Sequence, residues 1–452
     1  MRFRWVFSVL AVLTILFTVN AGAQGTFAPP QPPPAGASAA PLFTPEQIAK
    51  MPVVALPVQD FKLLSSGTGW VSTGNRLLLT TDNGAHWREI SPPNPNQYSY
   101  DDVVFINADT AWVLNYVANT EDDIDFVVSS TVDGGTTWAA TKIKIPLGDP
   151  AQGAPELAGG GAIAFADKLH GWLIFRYQTG SAFNSAGLFA TSDGGRTWQA
   201  SNDNPGFAGE IRAYPNGDVW VSGHPGVNEG GKIEELVVSH KGGNGFEDVS
   251  LPAPKDIGPV GQPSSYTLPV FEDNLRGYEA ASYYGPNGTN STEVLFETLD
   301  GGRTWKADRI LSNLTGSGTA ATTIAGSTWI LPFAPKGQHP ALVKLRPNDR
   351  KAAPPHSSSG DFSNCELSFV TADEGWMNCS GILSSTIDGG ATWANIAPRV
   401  RNGALTTARV TPVRNVPIQV KDRALSAAPA PPPIGLPSGT DQRLRIPRNG
   451  RP

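Results

Sequence analysis

Side chains able to do chemistry are scattered along this chain of 452 residues, with little sign of convergence. The six histidines stand at 86, 170, 224, 240, 339 and 356, and no spacing joins two of them into a metal or nucleophile pair. HExxH, GxSxG and the phosphate-binding loop pattern are all missing. Sugar hydrolysis would need two carboxylates facing one cleft, and no spacing reveals such a pair. The run Glu121-Asp-Asp123-Ile-Asp125 reads either as a cation-binding loop or as a solvated acidic one. Neither a metal site nor a cofactor is expected. Only two cysteines occur, Cys365 and Cys379, and the stretch between them reads as a hairpin turning near Ala372 and Asp373. That hairpin sets the two thiols opposite each other, within disulfide reach. They are read as a structural disulfide worth about 3 kcal/mol, with a redox-active pair as the other reading.

The elements that must position these groups are short strands and turns. Gly (49) and Pro (40) are abundant while charged residues reach only 16%, which argues against a helical bundle or coiled coil. The formal charge of −6 gives no basic footprint for nucleic acid. The balance is uneven, because residues 397–452 hold ten Lys/Arg against Asp422 and Asp441. Residues 1–23 read as an export signal: Arg2 and Arg4, an apolar run from Trp5 to Val19, then Ala21-Gly22-Ala23. The apolar run is short for a span, so cleavage is expected, with an uncleaved anchor as the alternative. A secreted, periplasmic or envelope-associated protein follows, with no membrane span after cleavage.

An internal repeat sets the fold. The pattern Ser/Thr-x-Asp-x-Gly-x-Thr-Trp stands as Thr80-Thr-Asp82-Asn-Gly84-Ala-His86-Trp87 and Thr131-Val-Asp133-Gly-Gly135-Thr-Thr137-Trp138. It returns at Thr191-Ser-Asp193-Gly-Gly195-Arg-Thr197-Trp198, Thr298-Leu-Asp300-Gly-Gly302-Arg-Thr304-Trp305 and Thr386-Ile-Asp388-Gly-Gly390-Ala-Thr392-Trp393. A worn copy runs from Ser239 to Phe246. The Asp is expected to accept hydrogen bonds from its own turn, the glycines to supply positive φ, and the Trp to cover the turn. A second pattern, an apolar strand and turn leading into an aromatic, precedes each copy, at Trp70, Trp112, Trp172, Trp220, Tyr278 and Trp376. It occurs once more at Trp329, where the motif is missing but Ala341 to Leu345 and Pro347-Asn348-Asp349 fit the third strand and turn. Phe105, Phe165, Phe271 and Phe369 sit seven residues before four of these aromatics. Seven units of four strands, A to D, predict an all-β, seven-bladed β-propeller over residues 51–396. All eleven tryptophans after Trp5 fall within the two patterns, so they read as structural.

The eight-residue motif resembles the Asp-box, or bacterial neuraminidase repeat. Combined with the strand-and-aromatic pattern, the unit is similar to propellers of the photosystem II stability/assembly factor family, over roughly residues 52–396. That resemblance implies a non-catalytic scaffold or assembly role with a protein or peptide partner. Sialidases share the motif, so a sialidase-like or other glycoside hydrolase acting on extracellular glycans is the alternative. Their Arg-Ile-Pro motif precedes the first blade, whereas Arg445-Ile446-Pro447 lies here in the far tail, and sialidase rings have six blades.

Residues 24–50 read as a Pro-rich extended linker, and 397–452 as a disordered basic Pro/Ala-rich tail in which Val416, Ile418 and Val420 could form one strand. Cations of the tail are either solvated or attached to an anionic surface, the acidic propeller included. Long insertions fall on the B–C and D-to-A connections: Ser91–Asp101, Tyr116–Asp123, Pro146–Gly161, Tyr177–Ala186, Leu251–Thr267, Ser282–Thr292 and Lys351–Asn364. Seven of nine tyrosines, Tyr98, Tyr100, Tyr116, Tyr177, Tyr266, Tyr283 and Tyr284, fall there too. They are read as a partner-binding face, against the plainer reading that they pack their own loops. Nothing in the sequence bears on oligomeric state.

Overall fold

The computed structural model describes residues 43–93, 100–120, 123–145, 156–178, 184–201, 203–223, 235–254, 263, 265–284, 290–315, 319–324, 327–332, 343–345 and 365–406. Among them every regular element is a strand except the helix Pro45–Lys50. Apart from one small sheet of three strands, strands gather in chain order into antiparallel sheets, each a meander of neighbours. Sheet 1 holds Asp60–Ser65, Thr68–Thr73, Arg76–Thr80 and Arg88–Glu89. Sheet 2 holds Asp102–Phe105, Ala111–Thr120, Asp123–Thr131 and Ala139–Lys144. Sheet 3 follows with Glu156–Phe165, Gly171–Gln178, Asn184–Thr191 and Gln199–Ala200, and sheet 4 with Glu210–Ala213, Val219–Gly223, Glu235–Ser239 and Glu247–Asp248. In sheet 5 strand A is split into Ser265–Tyr266 and Val270–Phe271, ahead of Gly277–Tyr284, Asn290–Thr298 and Lys306–Thr315. Sheet 6 shows Thr319–Ile324, Ser327–Pro332 and Val343–Leu345; sheet 7 shows Cys365–Phe369, Gly375–Cys379, Ile382–Thr386 and Ala394–Asn395. This is the all-β pattern of a propeller-like fold.

The core lies in the seams between successive sheets. Trp70, Leu77 and Leu79 of sheet 1 meet Val103 and Phe105 of sheet 2. Trp112 and Phe126 of sheet 2 meet Phe165 and Phe175 of sheet 3, and Trp172 and Leu188 meet Val219 and Val237 of sheet 4. Trp220 and Val238 then meet Ala281 and Phe296 of sheet 5, while Trp376 of sheet 7 packs with Phe61 and Val71 of sheet 1. The strand-B aromatic therefore reaches the following sheet. The recurring Phe has a matching reason: Phe165 stacks on Trp112 at 3.6 Å between ring centroids, across the seam. Trp70, Trp112, Trp172, Trp220 and Trp376 are buried as expected, while the Trp329 side chain lies outside the described residues.

Cys365 and Cys379 are directly opposite in register and form a disulfide with 4.2 Å between Cα atoms. The flanks hold more structure than the sequence reading gave them. Pro45–Lys50 is a helix with a capping box between Thr44 and Gln47, inside the stretch read as linker. The first ten residues of the tail are ordered as well. Arg399–Arg401 pairs with Val54–Ala55 on one side and Ala404–Leu405 on the other, a small sheet that fastens the segment before sheet 1 to the segment after sheet 7. Residues 1–42 and 407–452, with the signal, the Val416–Val420 strand and most of the tail, lie outside the described residues.

Candidate functional site

Each sheet has two ends, and they are built differently. At one end lie the A–B turns and the eight-residue motifs. In each intact motif the Asp takes up its own turn: Asp133 Oδ1 accepts from the Thr131 hydroxyl and the Thr137 N–H, and Oδ2 from the Thr137 hydroxyl at 2.6 Å. Asp193, Asp300 and Asp388 repeat these bonds, and at Asp82 the ring of His86 replaces the second hydroxyl. The Thr137 hydroxyl, then the Thr137 N–H and Thr131 hydroxyl, hold the Asp133 carboxyl down at about 2. Thr197 does the same for Asp193, also to about 2.

The N–H of motif position four ties this turn to the A–B turn of the same sheet, as in Gly134 to Asp109, Gly194 to Leu169 and Gly301 to Leu275. Indole N–H groups then tie one sheet to the next: Trp112 to Gly194, Trp172 to Gly242, Trp376 to Asn83, and Trp138 back to Ile90. Glycine is needed where this packing is closest. Gly302 has φ +85°, and a Cβ there would lie 2.5 Å from the Trp220 ring. Five carboxylates that could have been chemical are thus consumed by the scaffold.

The opposite end carries the B–C connections and is uneven. Strands B and C outrun the sequence reading: Tyr116 pairs with Phe126 and Val117 with Asp125, where a loop from Tyr116 was expected. Sheets 3 and 5 do likewise, with Tyr177 paired to Ser185 and Tyr284 to Ser291. The described residues of three expected loops are therefore paired as strands. In sheets 3 and 5 the register of strands B and C runs on unbroken past the point where the composition turns polar.

One of the seven tyrosines lies in the core and not on a surface. Tyr283 is a correction: it is 3% exposed on strand Gly277–Tyr284, in the core cluster with Trp220 and Phe296, where burial pushes its hydroxyl up to about 12. Tyr266 is half-buried against the same cluster. Tyr116 packs edge-on to Phe126, and Tyr100 donates its hydroxyl to the Asn75 carbonyl at 2.6 Å, pinning its segment to the B–C turn of sheet 1. Tyr177 and Tyr284 lie on ribbons, and Tyr98 lies outside the described residues.

Two carboxyls escaped the sequence reading. Burial pushes Asp101, at the entry to sheet 2, up to about 7; the Tyr116 N–H opposes this and Asp102 adds repulsion. Much of the Asp101 side chain still faces solvent, and water tempers that rise. Its neighbour Asp102 spans the seam by accepting from the N–H groups of Val103 and Ile163. Glu279 is 1% exposed, and burial pushes it well above the ordinary carboxyl range. Aligning the repeats would have exposed it, since it stands where other units carry Val71, Val113, Leu173, Val221 and Met377. Asp125, from the acidic run, pairs with Lys142 at 2.7 Å, and no group of three or more potential metal ligands occurs among the described residues.

No protein-family model matches this chain, and no curated protein does. Among solved structures, YCF48 bound to a D1 peptide is similar over 75% of this chain and 96% of its own, at 16% identity and a TM-score of 0.44. Tricorn protease is similar over 76% of this chain and 36% of its own, at 10% identity and 0.45. A Hadza microbial sialidase is similar over 65% and 56%, at 14% identity and 0.32. The chain thus spans about a third of the tricorn protease chain and just over half of the sialidase. These likenesses concern the backbone alone, and the functional reading rests on this chain's own residues.

Proposed function

We propose that the chain is an exported, non-catalytic, seven-bladed β-propeller of the Asp-box kind that binds a protein or peptide partner at its ribbon end, in a scaffold or assembly role. A glycan is the second choice of ligand. The observation that carries the reading is the contrast between the two ends of the sheets. One end is spent on self-satisfied turns, while sheets 2, 3 and 5 extend ribbons from the other. Extended elements on a rigid scaffold are where recognition concentrates. Tyr177, Tyr284 and Tyr98 remain the proposed contacts, and Tyr283 is withdrawn from that set because it belongs to the core.

The test is a peptide array probed with the wild type, with Tyr177→Ala/Tyr284→Ala and with the motif-end variant Arg196→Glu/Arg303→Glu. Tyrosine anchors commonly cost 2 kcal/mol or more, roughly a thirtyfold loss. Binding weakened by the first variant and kept by the second supports the ribbon end; the reverse pattern refutes it. A second reading, hydrolysis of extracellular glycans, has one observation in its favour, the raised Asp101 carboxyl beside Asp102. Turnover of fluorogenic glycosides that is lost in Asp101→Asn would establish that reading instead.

A further inference from the structure

The seams of sheets 1 and 2, 2 and 3, 3 and 4, and 7 and 1 each carry an indole N–H bond, but among the described residues the seam between sheets 4 and 5 carries none. Among the described residues the indole nitrogens of Trp220 and Trp305 are buried without a hydrogen-bond partner, and so are both carboxyl oxygens of Glu279. Trp220 and Trp305 lie edge to face at 6.2 Å, within the apolar cluster that fills the seam. At the equivalent position of sheets 1, 2, 3, 4 and 7 stands a buried apolar side chain. The seam is held instead from sheet 4's first strand, where Arg212 donates to the Leu268 and Pro269 carbonyls and Tyr214 donates to Pro269.

We propose that the seam between sheets 4 and 5 opens under proton control: it stays closed while Glu279 carries its proton and opens when that proton is lost. An uncompensated carboxylate cannot stay in an apolar seam, because removing it from water without a partner costs far more than the seam can supply. Among the described residues no hydrogen-bond partner reaches either of its carboxyl oxygens. On its own sheet the strand alternation turns Tyr266 and Tyr283 to the same side, along with Val294 and Phe296. Across the seam the titratable groups on that side are Glu210, Arg212, Tyr214, His240 and Glu247. Arg212 is engaged by backbone carbonyls, and His240 is bonded to Asp218 at 2.8 Å. Water admitted by opening is the remaining way to solvate the charge. Strand Gly277–Tyr284 carries Glu279 and runs on into the ribbon of sheet 5, so opening would also loosen that ribbon. This inference stands apart from the binding reading and does not need it.

Opening restores Glu279 to an ordinary carboxyl value of about 4.3, so the open population should climb about tenfold per pH unit above that point, until the closed-state value is passed. Hydrogen exchange of peptides covering 219–223 and 277–284, corrected for base-catalysed intrinsic exchange, reads it between pH 5 and 9. In the wild type these peptides should lose protection about tenfold per unit from pH 5 upward until the closed-state value is passed, while peptides covering 69–73 and 111–115 keep theirs. Glu279→Gln and Glu279→Met, the latter copying Met377, should both be flat. A wild type with no slope, a slope that survives either substitution, or an equal slope in every sheet would overturn the proposal.

Discussion

Replacing Trp172 with Ala tests the seam architecture most directly. Trp172 is 5% exposed and packs with Ile174, Leu188, Phe207, Val219 and Val237 across the seam of sheets 3 and 4. Its indole N–H donates to the Gly242 carbonyl at 3.0 Å, and Gly243 has no Cβ to keep the ring away. Truncating a buried Trp to Ala costs about 3–5 kcal/mol through lost transfer energy and the cavity left behind. The orphaned Gly242 carbonyl adds roughly 1 kcal/mol where water cannot reach it. For a chain of this size 1 kcal/mol moves a thermal midpoint by about 2 °C, so a fall of roughly 8–12 °C is expected by circular dichroism. Trp172→Phe separates the two contributions, since it keeps most of the apolar volume and loses only the donor. It should cost about 1 kcal/mol. A Trp172→Ala midpoint within a degree or two of wild type would mean that strand-B aromatics do not carry the seams.

Unfolded, non-reduced protein should show no titratable thiol, and reduction should cost about 3 kcal/mol; two free thiols would remove the disulfide. Gly302→Ala should destabilise by more than the ordinary Gly-to-Ala range, because both the positive φ and the 2.5 Å approach to Trp220 oppose it; an unchanged urea midpoint would contradict this. Asp133 and Asp193 are held at about 2, below an unfolded Asp near 3.9, so their contribution is full above that value and is lost as pH falls toward 2. Asp133→Asn should therefore lower the midpoint at neutral pH and flatten its acid slope. Identical slopes in wild type and variant would show that the turn does not need the charge.

The motif was legible because its physics is local: hydroxyl, carboxylate and N–H partners all lie within eight residues. The Cys365–Cys379 pairing was legible for the same reason, as a short hairpin with one register. Ribbon lengths were not. Ser282, Tyr283 and Tyr284 look like the start of a loop, yet Ser282 faces Glu293 and donates its hydroxyl to it, a match that depends on a partner eleven residues away. Pro45–Lys50 was read as linker because of the surrounding proline, whereas a capping box between Thr44 and Gln47 sets a short helix there. Loop tyrosines misled because composition marks where aromatic area lies, not whether a neighbouring sheet covers it. Tyr283 is the clearest case.

The clasp of Val54–Ala55 with Arg399–Arg401 has a kinetic consequence. The seam it guards is joined by bonds between residues that are far apart in sequence, such as the Leu63 N–H to Ser368, 305 residues away, and Asn378 to the Val58 carbonyl, 320 away. Closing loops of that length is slow, because the chain entropy is lost before the contacts that reward it are made. Trp376 and Ile396, which complete the cluster around Phe61 and Val71, leave the ribosome long after those two residues do. Until they arrive, sheet 1 presents an uncovered apolar flank. The first sheet synthesised is therefore among the last to be finished, and the interval between the two events is when the nascent chain is most open to aggregation and to the factors that prevent it.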